Sequence, residues 1–342
     1  MKILVTGTEG YLGCLLAPTL IAEGHDVVGV DSGFYKMGWL YNGTPATPFT
    51  LDKDIRALTV EDFDGVDAVV HMAELSNDPL GQLSPGLTHE VNHKGSVRLA
   101  EVAKRAGVKK FVYMSSCSVY GVASDRDVTE ESPTNPQTAY ADCKTLVERD
   151  VMPLADADFS PTFMRNATAF GASPRMRFDL VLNNLAGLAW TTKEIAMTSD
   201  GTPWRPLVHG LDIAQAITCV LDAPDDVVRG EIFNVGDTAQ NYQVKEIAEA
   251  IAAVFPDCAL SFGDSGADNR SYRVSFEKIN TKLPGFKCEW TAQRGAEQLR
   301  ELFERIDLTA EDFQSRRYTR IAQLEWLLAT GQLDESLFWT GV

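Results

Sequence analysis

The sequence predicts an α/β fold in which a doubly wound parallel sheet is joined to a smaller α+β region at the carboxyl-terminal side. Two patterns predict this arrangement. Through the first half of the chain, short apolar runs alternate with helical patterns, which is typical of a parallel sheet covered by helices on both faces. From about residue 170 onward the strand-like runs are scattered between polar loops, which favours a smaller α+β region built onto the first sheet.

The first apolar run, Lys2 to Thr6, has the length and branching of a buried parallel strand and ends at Gly7, Gly10 and Gly13. A helical apolar pattern follows directly. A strand that turns through glycines into a helix gathers free backbone N–H groups and the positive end of a helix dipole, which suits a diphosphate. Glycine is required where a Cβ would hold the phosphate away from the backbone. An ordinary tight turn between strand and helix is the alternative interpretation.

The second strand, Asp26 to Val30, ends in Asp31, 18 residues after Gly13. An acidic residue at about this distance binds the adenosine ribose in dinucleotide-binding folds. Its carboxylate repels a 2′-phosphate, and no arginine follows within the next few residues. The glycines and Asp31 together therefore predict a Rossmann-type domain that binds NAD rather than NADP.

The remaining elements follow in order. Patterns predict strands near 49–51, 67–71, 109–114 and 161–165, and helices over 86–106, 139–151, 180–190, 211–221, 243–254 and 291–303. The aromatic loop 32–48 either stacks on a ligand or covers the end of the sheet. Apolar residues at helical spacing in the tail from Leu308 predict a helix that packs on the body or on a partner subunit.

We divide the chain into three predicted parts. These are an NAD-binding domain over 1–170, a substrate-binding region over 171–307 and a helical tail over 308–342. A chain of 342 residues is long enough for one large α/β domain or two smaller ones. Because no repeat, low-complexity tract or Gly/Ser linker separates the first two parts, we expect them to be interleaved.

Composition narrows the range of partners and compartments. A net charge of −17 argues against nucleic acid or an anionic membrane as a partner. The six cysteines form no Cys-x-x-Cys pair and have no histidine-rich neighbourhood, so we expect reduced thiols, no metal and no disulfide framework. No apolar run approaches about 18 residues, and a strand that begins at Lys2 leaves no room for a signal peptide. We expect a cytoplasmic protein.

Ser116, Tyr140 and Lys144 are the candidate catalytic residues. A spacing of four residues places Tyr140 and Lys144 on one face of a predicted helix. A nearby ammonium favours the phenolate and lowers the pKa of a tyrosine from its usual value of about 10, which creates a proton acceptor near neutral pH. Ser116 lies at the carboxyl end of a strand, where doubly wound sheets bind ligands. Its hydroxyl is suited to hold the oxygen that Tyr140 deprotonates.

These residues resemble the extended short-chain dehydrogenase/reductases that act on nucleotide sugars, and the resemblance covers nearly the whole chain. Residues 6–13 are similar to that family's glycine motif, and residues 71–73 to its His-x-Ala-Ala motif, in which Glu74 replaces the last alanine. Residues 116–121 are similar to the strand end whose first hydroxyl is catalytic. The cofactor-binding residues predicted from glycine loop and resemblance are Gly7, Gly10, Tyr11, Leu12, Gly13, Asp31, Asp54, Ile55, Met72, Ala73, Glu74, Asn92, Ser115, Tyr140 and Lys144.

In the second half, the resemblance implies that a nucleotide-diphosphate sugar is the substrate and partner. Arg205, four residues before His209, resembles the arginine that clamps the substrate diphosphate, which suits its bidentate chemistry. Thr168 stands where many members carry asparagine, so that either Asn166 takes the place of that asparagine or the sugar is bound differently. The predicted substrate-binding residues are Ser76, Asn166, Thr168, Asn183, Asn184, Leu185, Arg205 and Arg270. Relatives commonly form homodimers through the helices that match 86–106 and 139–151, which implies a homodimer here.

The reaction implied by the resemblance is epimerisation at C4, by hydride abstraction to NAD, a keto-sugar intermediate and hydride return. A dehydratase or a ketoreductase of the same sugar class, or a catalytically silent NAD-binding subunit, are the alternatives. Cys117 and Ser118 stand where the 4,6-dehydratases of the family carry Asp-Glu, which disfavours that dehydration. The Cys117 thiol either exchanges a proton with a sugar carbon or fills the strand end as a buried small residue.

Overall fold

The computed structural model describes residues 1–42, 46–76, 84–123, 127–197, 199–264 and 271–341 of the chain. Its strands are β1 (Lys2–Thr6), β2 (Asp26–Asp31), β3 (Phe49–Asp52), β4 (Ala68–His71), β5 (Lys110–Ser116), β6 (Ser160–Asn166), β7 (Thr168–Phe170), β8 (Glu194–Ala196), β9 (Trp204–His209), β10 (Glu231–Val235), β11 (Asn241–Gln243) and β12 (Ala259–Ser261).

The helices among the described residues are α1 (Gly13–Ala22), α2 (Pro85–Thr88), α3 (Ser96–Arg105), α4 (Ala139–Val151), α5 (Val181–Thr191), α6 (Gly210–Asp222), α7 (Asp225–Val228), α8 (Val244–Val254), α9 (Glu277–Lys282), α10 (Ala292–Ile306), α11 (Ala310–Gln314) and α12 (Arg320–Ala329). Short 3₁₀ helices include Ile55–Ala57 and Cys117–Tyr120.

Seven parallel strands form the central sheet, in the order β10-β6-β5-β4-β1-β2-β3. The strand order reverses between β1 and β4, and in open α/β sheets ligands bind at the carboxyl ends of the strands beside such a reversal. Helices cover both faces. Leu16 of α1 and Ile213 of α6 pack into the core on one face, and Leu99 of α3 and Val147 of α4 pack into the core on the other. The predicted doubly wound α/β fold is confirmed.

The predicted continuous helix over 86–106 differs in the structure. A seven-residue π-helical segment, His89–Gly95, separates α2 from α3. It carries the fully buried Asn92, whose side chain accepts a hydrogen bond from the N–H of Leu75 (2.8 Å) and donates one to its carbonyl (3.0 Å). The helix therefore widens where Asn92 holds the backbone that follows β4, and widened turns of this kind often accompany functional sites.

The second half of the chain forms small sheets but also completes the large one. β11, β9 and β7 make a three-stranded sheet, and β12 pairs with β8. β10, however, joins the edge of the central sheet beside β6, in parallel register. The boundaries at residues 170 and 307 stay predictions, while the pairing of β10 gives a physical basis for interleaving the first two parts.

The tail packs on the body of the same chain. Leu324, Leu327 and Leu337 form one apolar cluster with Phe34 and Leu75, which follow β2 and β4. The side-chain amide of Gln323 donates to the carbonyl of Phe34 (3.2 Å), which adds a polar tie to this contact. In the parts of the chain that the structure describes, no helix has the length and apolar character needed to cross a membrane.

Candidate active site

The glycine turn after β1 leaves no room for side chains. Gly7 has a φ of +79°, and a Cβ on Gly13 would lie 2.2 Å from the carbonyl oxygen of Gly7. The N–H of Gly10 donates to that same carbonyl at 3.0 Å. The turn and the first turn of α1 line a first cavity, which also contains Asp31, Asp54, Ile55, Met72, Ala73, Glu74 and Ser76. The predicted cofactor residues at these positions are thus brought together, and Ser76, predicted to bind the substrate, lies beside them.

Asp31 lies at the end of β2, as predicted, with its carboxylate held by the backbone. Its Oδ2 accepts a hydrogen bond from the N–H of Glu9 (3.0 Å) and its Oδ1 accepts one from the N–H of Gly33 (2.8 Å). Burial raises the pKa of Asp31 above its usual value, although both backbone donors oppose this shift. The group is therefore fixed in position at the wall of the first cavity.

Other predicted cofactor residues serve as support. Asp54 accepts three hydrogen bonds from Arg56, from its N–H (2.7 Å), Nε (2.9 Å) and Nη2 (2.8 Å), beside the cavity wall formed by Ile55. Asn92 does not line the cavity. Its side chain forms hydrogen bonds with the backbone N–H and carbonyl of Leu75 instead. Its role in the structure is to position that backbone.

A second cavity lies at the carboxyl ends of β5 and β6 and contains all three candidate catalytic residues, Ser116, Tyr140 and Lys144. Tyr140 stands in the first turn of α4, which Thr138 caps by accepting a hydrogen bond from the N–H of Ala141 (3.2 Å). The Nζ of Lys144 lies 5.3 Å from the centre of the Tyr140 ring. Ser116 is set at the strand end by a hydrogen bond from the N–H of Ser118 to its Oγ (3.1 Å).

Glu74 pairs directly with Lys144, a contact that the sequence does not reveal. Their closest oxygen and nitrogen lie 2.5 Å apart, and both side chains are almost fully buried. Glu74 also accepts a hydrogen bond from the hydroxyl of Tyr113 (2.6 Å). Burial lowers the pKa of Lys144, but the carboxylate of Glu74 and the phenol of Tyr140 raise it, and the net shift is upward. The Lys144 side chain is therefore a positively charged ammonium, and it interacts with both Glu74 and Tyr140.

The two cavities are continuous at their walls. Six residues line both of them, namely Leu12, Met72, Glu74, Ser76, Ala169 and Arg177. Arg177 holds Asp179 by two hydrogen bonds (2.9 and 3.0 Å) and donates to the Oγ of Ser76 at 3.2 Å. A ligand that extends from the glycine turn toward Met72 thus comes next to the cavity that contains Tyr140.

Several predicted substrate residues line the second cavity. Asn166 donates through Nδ2 to the carbonyls of Ser115 (3.2 Å) and Met164 (3.1 Å), while its buried Oδ1 has no hydrogen-bond partner among the described residues. Thr168 and Arg205 line the same cavity. The guanidinium of Arg205 lies 5.7 Å from the ring centre of Tyr272 and donates to the carbonyl of Trp204. Arg270 lies outside the described residues.

The structure places the segment 183–185 away from both cavities. Asn183 is fully buried, accepting from the N–H of Gly171 (2.9 Å) and donating to the carbonyl of Arg177 (3.1 Å). Asn184 donates to the carbonyl of Phe178 (2.9 Å), and Leu185 packs in the apolar core of the second region. Their common role in the structure is to hold the loop that carries Arg177.

Cys117 does not reach either cavity. The thiol is 1% exposed and donates to the carbonyl of Arg165 at 3.1 Å. Burial raises its pKa above that of an ordinary thiol, so the group stays protonated. The catalytic role predicted for Cys117 is therefore not supported, whereas the alternative role as a buried packing residue is supported.

Ser115, a predicted cofactor residue, lines the second cavity, but its hydroxyl donates a hydrogen bond to Glu148 (2.6 Å).

Residues from distant parts of the chain complete the first cavity, and sequence reasoning missed them. They are Arg177 in the loop before α5, and Arg320 and Leu337 in the tail. No local motif surrounds these positions, since their relation to the glycine turn arises only from folding. The feature that distinguishes Arg320 is its burial, which only the structure reveals, because arginine is almost never fully buried unless it is paired.

Comparisons with known proteins agree with this geometry. The model of the NAD dependent epimerase/dehydratase family matches residues 3–236. The UDP-glucose 4-epimerase of Bacillus subtilis (strain 168) is 27% identical over 325 residues, which span 87% of this chain and 94% of that protein. The UDP-glucose 4-epimerase of Mycolicibacterium smegmatis is 32% identical over 266 residues, spanning 74% of this chain and 82% of that protein.

Solved structures show the same fold. MoeE5 in complex with UDP-glucuronic acid and NAD superposes with a TM-score of 0.77 at 25% identity, covering 90% of this chain and 100% of MoeE5. TunA, described as an NAD dependent-NDP-hexosamine 5,6-dehydratase, superposes with a TM-score of 0.78 at 22% identity, covering 90% of this chain and 99% of TunA. At 22% identity, the similarity to TunA shows only that the two proteins share a fold.

Proposed function

We propose, on the premise that the chain belongs to the NAD-dependent epimerase/dehydratase family, that it epimerises a nucleotide-diphosphate sugar at C4. The observation that carries the proposal is the continuity of the two cavities. The glycine turn and Asp31 line one, while Ser116, Tyr140 and Lys144 line the other, and Met72 and Glu74 line both. The curated relatives reported above are UDP-glucose 4-epimerases, which supports C4 as the reacting carbon.

NAD is the cofactor of this family, and the residues present fit it. Gly7 and Gly13 leave the turn free of side chains, and Asp31 stands at the end of the next strand with its carboxylate fixed by two N–H groups. When bound, NAD accepts a hydride from a sugar carbon and can return it. The protein's part is to bind the dinucleotide along the first cavity, with the glycine turn at the diphosphate and Asp31 at the ribose.

Tyr140 is proposed to take the proton of the sugar hydroxyl as the carbon is oxidised, and to give it back on reduction. The Lys144 ammonium favours the phenolate, because an opposite charge nearby stabilises the charged form. Ser116 is proposed to donate a hydrogen bond to the same sugar oxygen from the end of β5. Fixed donors and acceptors of this kind lower the barrier without reorganising during the reaction.

The second cavity is proposed to hold the substrate. Arg205, which lines this cavity, is proposed to bind the substrate diphosphate, for which a planar guanidinium is suited. The buried Oδ1 of Asn166 offers an acceptor for a sugar hydroxyl, in the place of an asparagine at residue 168.

We extend the proposal to a homodimer formed through α2 to α4 and to a cytoplasmic location, which the six unpaired cysteines favour. A monomer in analytical ultracentrifugation would contradict the dimer.

A dehydratase or ketoreductase of the same sugar class is the alternative. The burial of Cys117 removes this thiol as a proton carrier for dehydration, so Cys117 does not favour that alternative over epimerisation.

Turnover of UDP-, GDP-, CDP- and dTDP-sugars in deuterated water tests the proposal. We expect one of them to give its C4 epimer, without solvent deuterium on any sugar carbon and without net NADH, because the same hydride leaves and returns. Steady accumulation of NADH would indicate a dehydrogenase, and deuterium at C3 or C5 would indicate enolisation. Binding of a sugar nucleotide with no conversion would indicate a catalytically silent subunit.

A further inference from the structure

Arg320, the first residue of α12, carries a positive charge on a side chain that the fold buries. It is 3% exposed, and its guanidinium lies over the ring of Tyr35, with Cζ 4.0 Å from the ring centre. Among the described residues, no carboxylate lies within 4.0 Å of it and no acceptor receives a hydrogen bond from it. A buried charge costs free energy unless it is paired, so this position calls for a compensating anion.

The charges that surround Arg320 do not supply this compensation. Burial and then the neighbouring Arg177 lower the pKa of Arg320 to about 10, and this shift persists although Tyr35, Asp179 and Asp31 act in the opposite direction. Asp179 already accepts hydrogen bonds from Nε and Nη2 of Arg177, and Asp31 accepts them from the N–H groups of Glu9 and Gly33. The guanidinium remains charged at neutral pH, although burial and the charge of Arg177 destabilise its charged form.

The cavity beside Arg320 is the one that the glycine turn opens into. Gly10 and Gly13 at the start of α1 and Asp31 at the end of β2 line it together with Arg320. The N-terminus of α1 is positive there as well, so an anion between it and Arg320 would meet favourable charge on both sides. Gln323 ties the same turn of α12 to the carbonyl of Phe34 and so holds Arg320 at this wall.

We propose that Arg320 binds the diphosphate of NAD from the side opposite the glycine turn, so that the C-terminal tail supplies a cofactor ligand. The proposal rests on NAD binding and is independent of which sugar is converted. The anion expected here is a diphosphate rather than a 2′-phosphate, because the Asp31 carboxylate lines the same cavity and repels a phosphate on the ribose that it binds.

Titration calorimetry on protein freed of nucleotide tests the proposal with adenosine, ADP, ADP-ribose, NAD and NADP. In Arg320→Met we expect the affinities for ADP, ADP-ribose and NAD to fall 10- to 100-fold while that for adenosine stays within two-fold. Arg320→Lys is expected to fall between, since it keeps the charge but loses the planar fork. The matched control is Arg316→Met, because Arg316 also lies over an aromatic ring (Trp326, 3.9 Å) but is exposed and outside the cavity.

The unfolding temperature without nucleotide separates binding from a purely structural role. Because Arg320→Met removes an uncompensated buried charge, we expect the nucleotide-free variant to unfold at the same temperature as wild type or higher, and to gain less when NAD is added. A lower unfolding temperature together with equal losses for adenosine and ADP would overturn the proposal, as would unchanged ADP and NAD affinities. A loss specific to NADP would assign Arg320 to a 2′-phosphate instead. No sugar is present, so failure of the proposed epimerase activity leaves these outcomes unaffected.

Discussion

At the scale of single residues, the Lys144 ammonium interacts with two groups of the site, the Glu74 carboxylate and the Tyr140 phenol. Lys144 stands between the carboxylate of Glu74, 2.5 Å away, and the ring of Tyr140. In the proposed reaction the ammonium favours the Tyr140 phenolate, and the Glu74 carboxylate weakens that influence. A charge at residue 74 is thus a means of setting the pH at which the phenol works.

Neutralising Glu74 is expected to shift the pH dependence of the reaction. In Glu74→Gln the full charge of Lys144 acts on Tyr140, so the phenol ionises more easily and the rising limb of kcat/KM moves to lower pH by about one unit. Glu74→Asp keeps the charge and should leave the limb in place. A limb that stays unchanged in Glu74→Gln would show that the ion pair does not govern the phenol.

Removing the phenolic hydroxyl is expected to slow turnover strongly while the protein still binds its cofactor. Tyr140→Phe should lower kcat by about 10²- to 10⁴-fold, the usual contribution of a positioned acid or base, and purified protein should contain as much NAD as wild type. Ser116→Ala keeps the proton acceptor and should lose less. Comparable activity in Tyr140→Phe would remove Tyr140 from the proposed mechanism.

At the scale of elements, the tail after α12 contributes to the wall of the first cavity, in which the adenosine of NAD is proposed to bind. Leu337 lines this cavity, the indole N–H of Trp339 donates to the carbonyl of Ser32 (2.6 Å), and Phe338 lies under the guanidinium of Arg56 (4.1 Å). Trp339 thus contacts the backbone after β2, and Phe338 contacts the 3₁₀ helix after β3.

Truncating the Trp339 side chain is expected to weaken the binding of adenosine and of NAD alike. In Trp339→Ala we expect the affinities for adenosine and NAD to fall together by several-fold, because the segment that carries Leu337 loses its anchor on Ser32. This common loss contrasts with the loss expected for Arg320→Met, which spares adenosine. Trp326→Ala, at a comparably exposed tryptophan in α12, is the control, and calorimetry is the measurement.

The elements also show what sequence patterns can and cannot predict. The strand, the glycine turn and Asp31 are local features, and their periodicity and spacing predicted their structure correctly. The π-helical segment at Asn92 was not predicted by the local pattern, and the hydrogen bonds between Asn92 and Leu75 join residues that are 17 positions apart and meet only on folding. Likewise, a helical pattern in the tail predicted α12 but not that Arg320 lines the same cavity as the glycine turn.

At the scale of the whole molecule, buried histidines connect stability to pH. Burial and then Lys144 lower the pKa of His71 to about 3. Burial lowers that of His209 to about 4, although its hydrogen bond with Gln298 opposes the shift. Both groups are neutral in the folded protein at pH 5, whereas their unfolded forms take up protons below about pH 6.5. Their stabilising contribution is therefore complete above pH 6.5 and is lost as the pH falls toward 4.

The free energy of unfolding should fall as the pH decreases from 7 to 5. Each histidine is expected to account for a loss of about 2 kcal/mol over this range. Asp212 acts in the opposite direction, because burial raises its pKa to about 6 against the backbone donors Glu289 and Trp290, and protonation relieves its cost. Urea unfolding of the nucleotide-free protein measures the effect, and Asp212→Asn should steepen the decline. A stability that does not change with pH would contradict this account.

The position of β10 has a consequence for any attempt to divide the molecule. A fragment that stops at residue 170 would keep β6 but lose its neighbour, which enters the sheet only with residues 231–235. The row of N–H and C=O groups along β6 would then be open to any other extended chain, and such an open edge promotes aggregation. We therefore expect the nucleotide-binding half to precipitate when it is produced alone, and a longer fragment that contains β10 to stay dispersed.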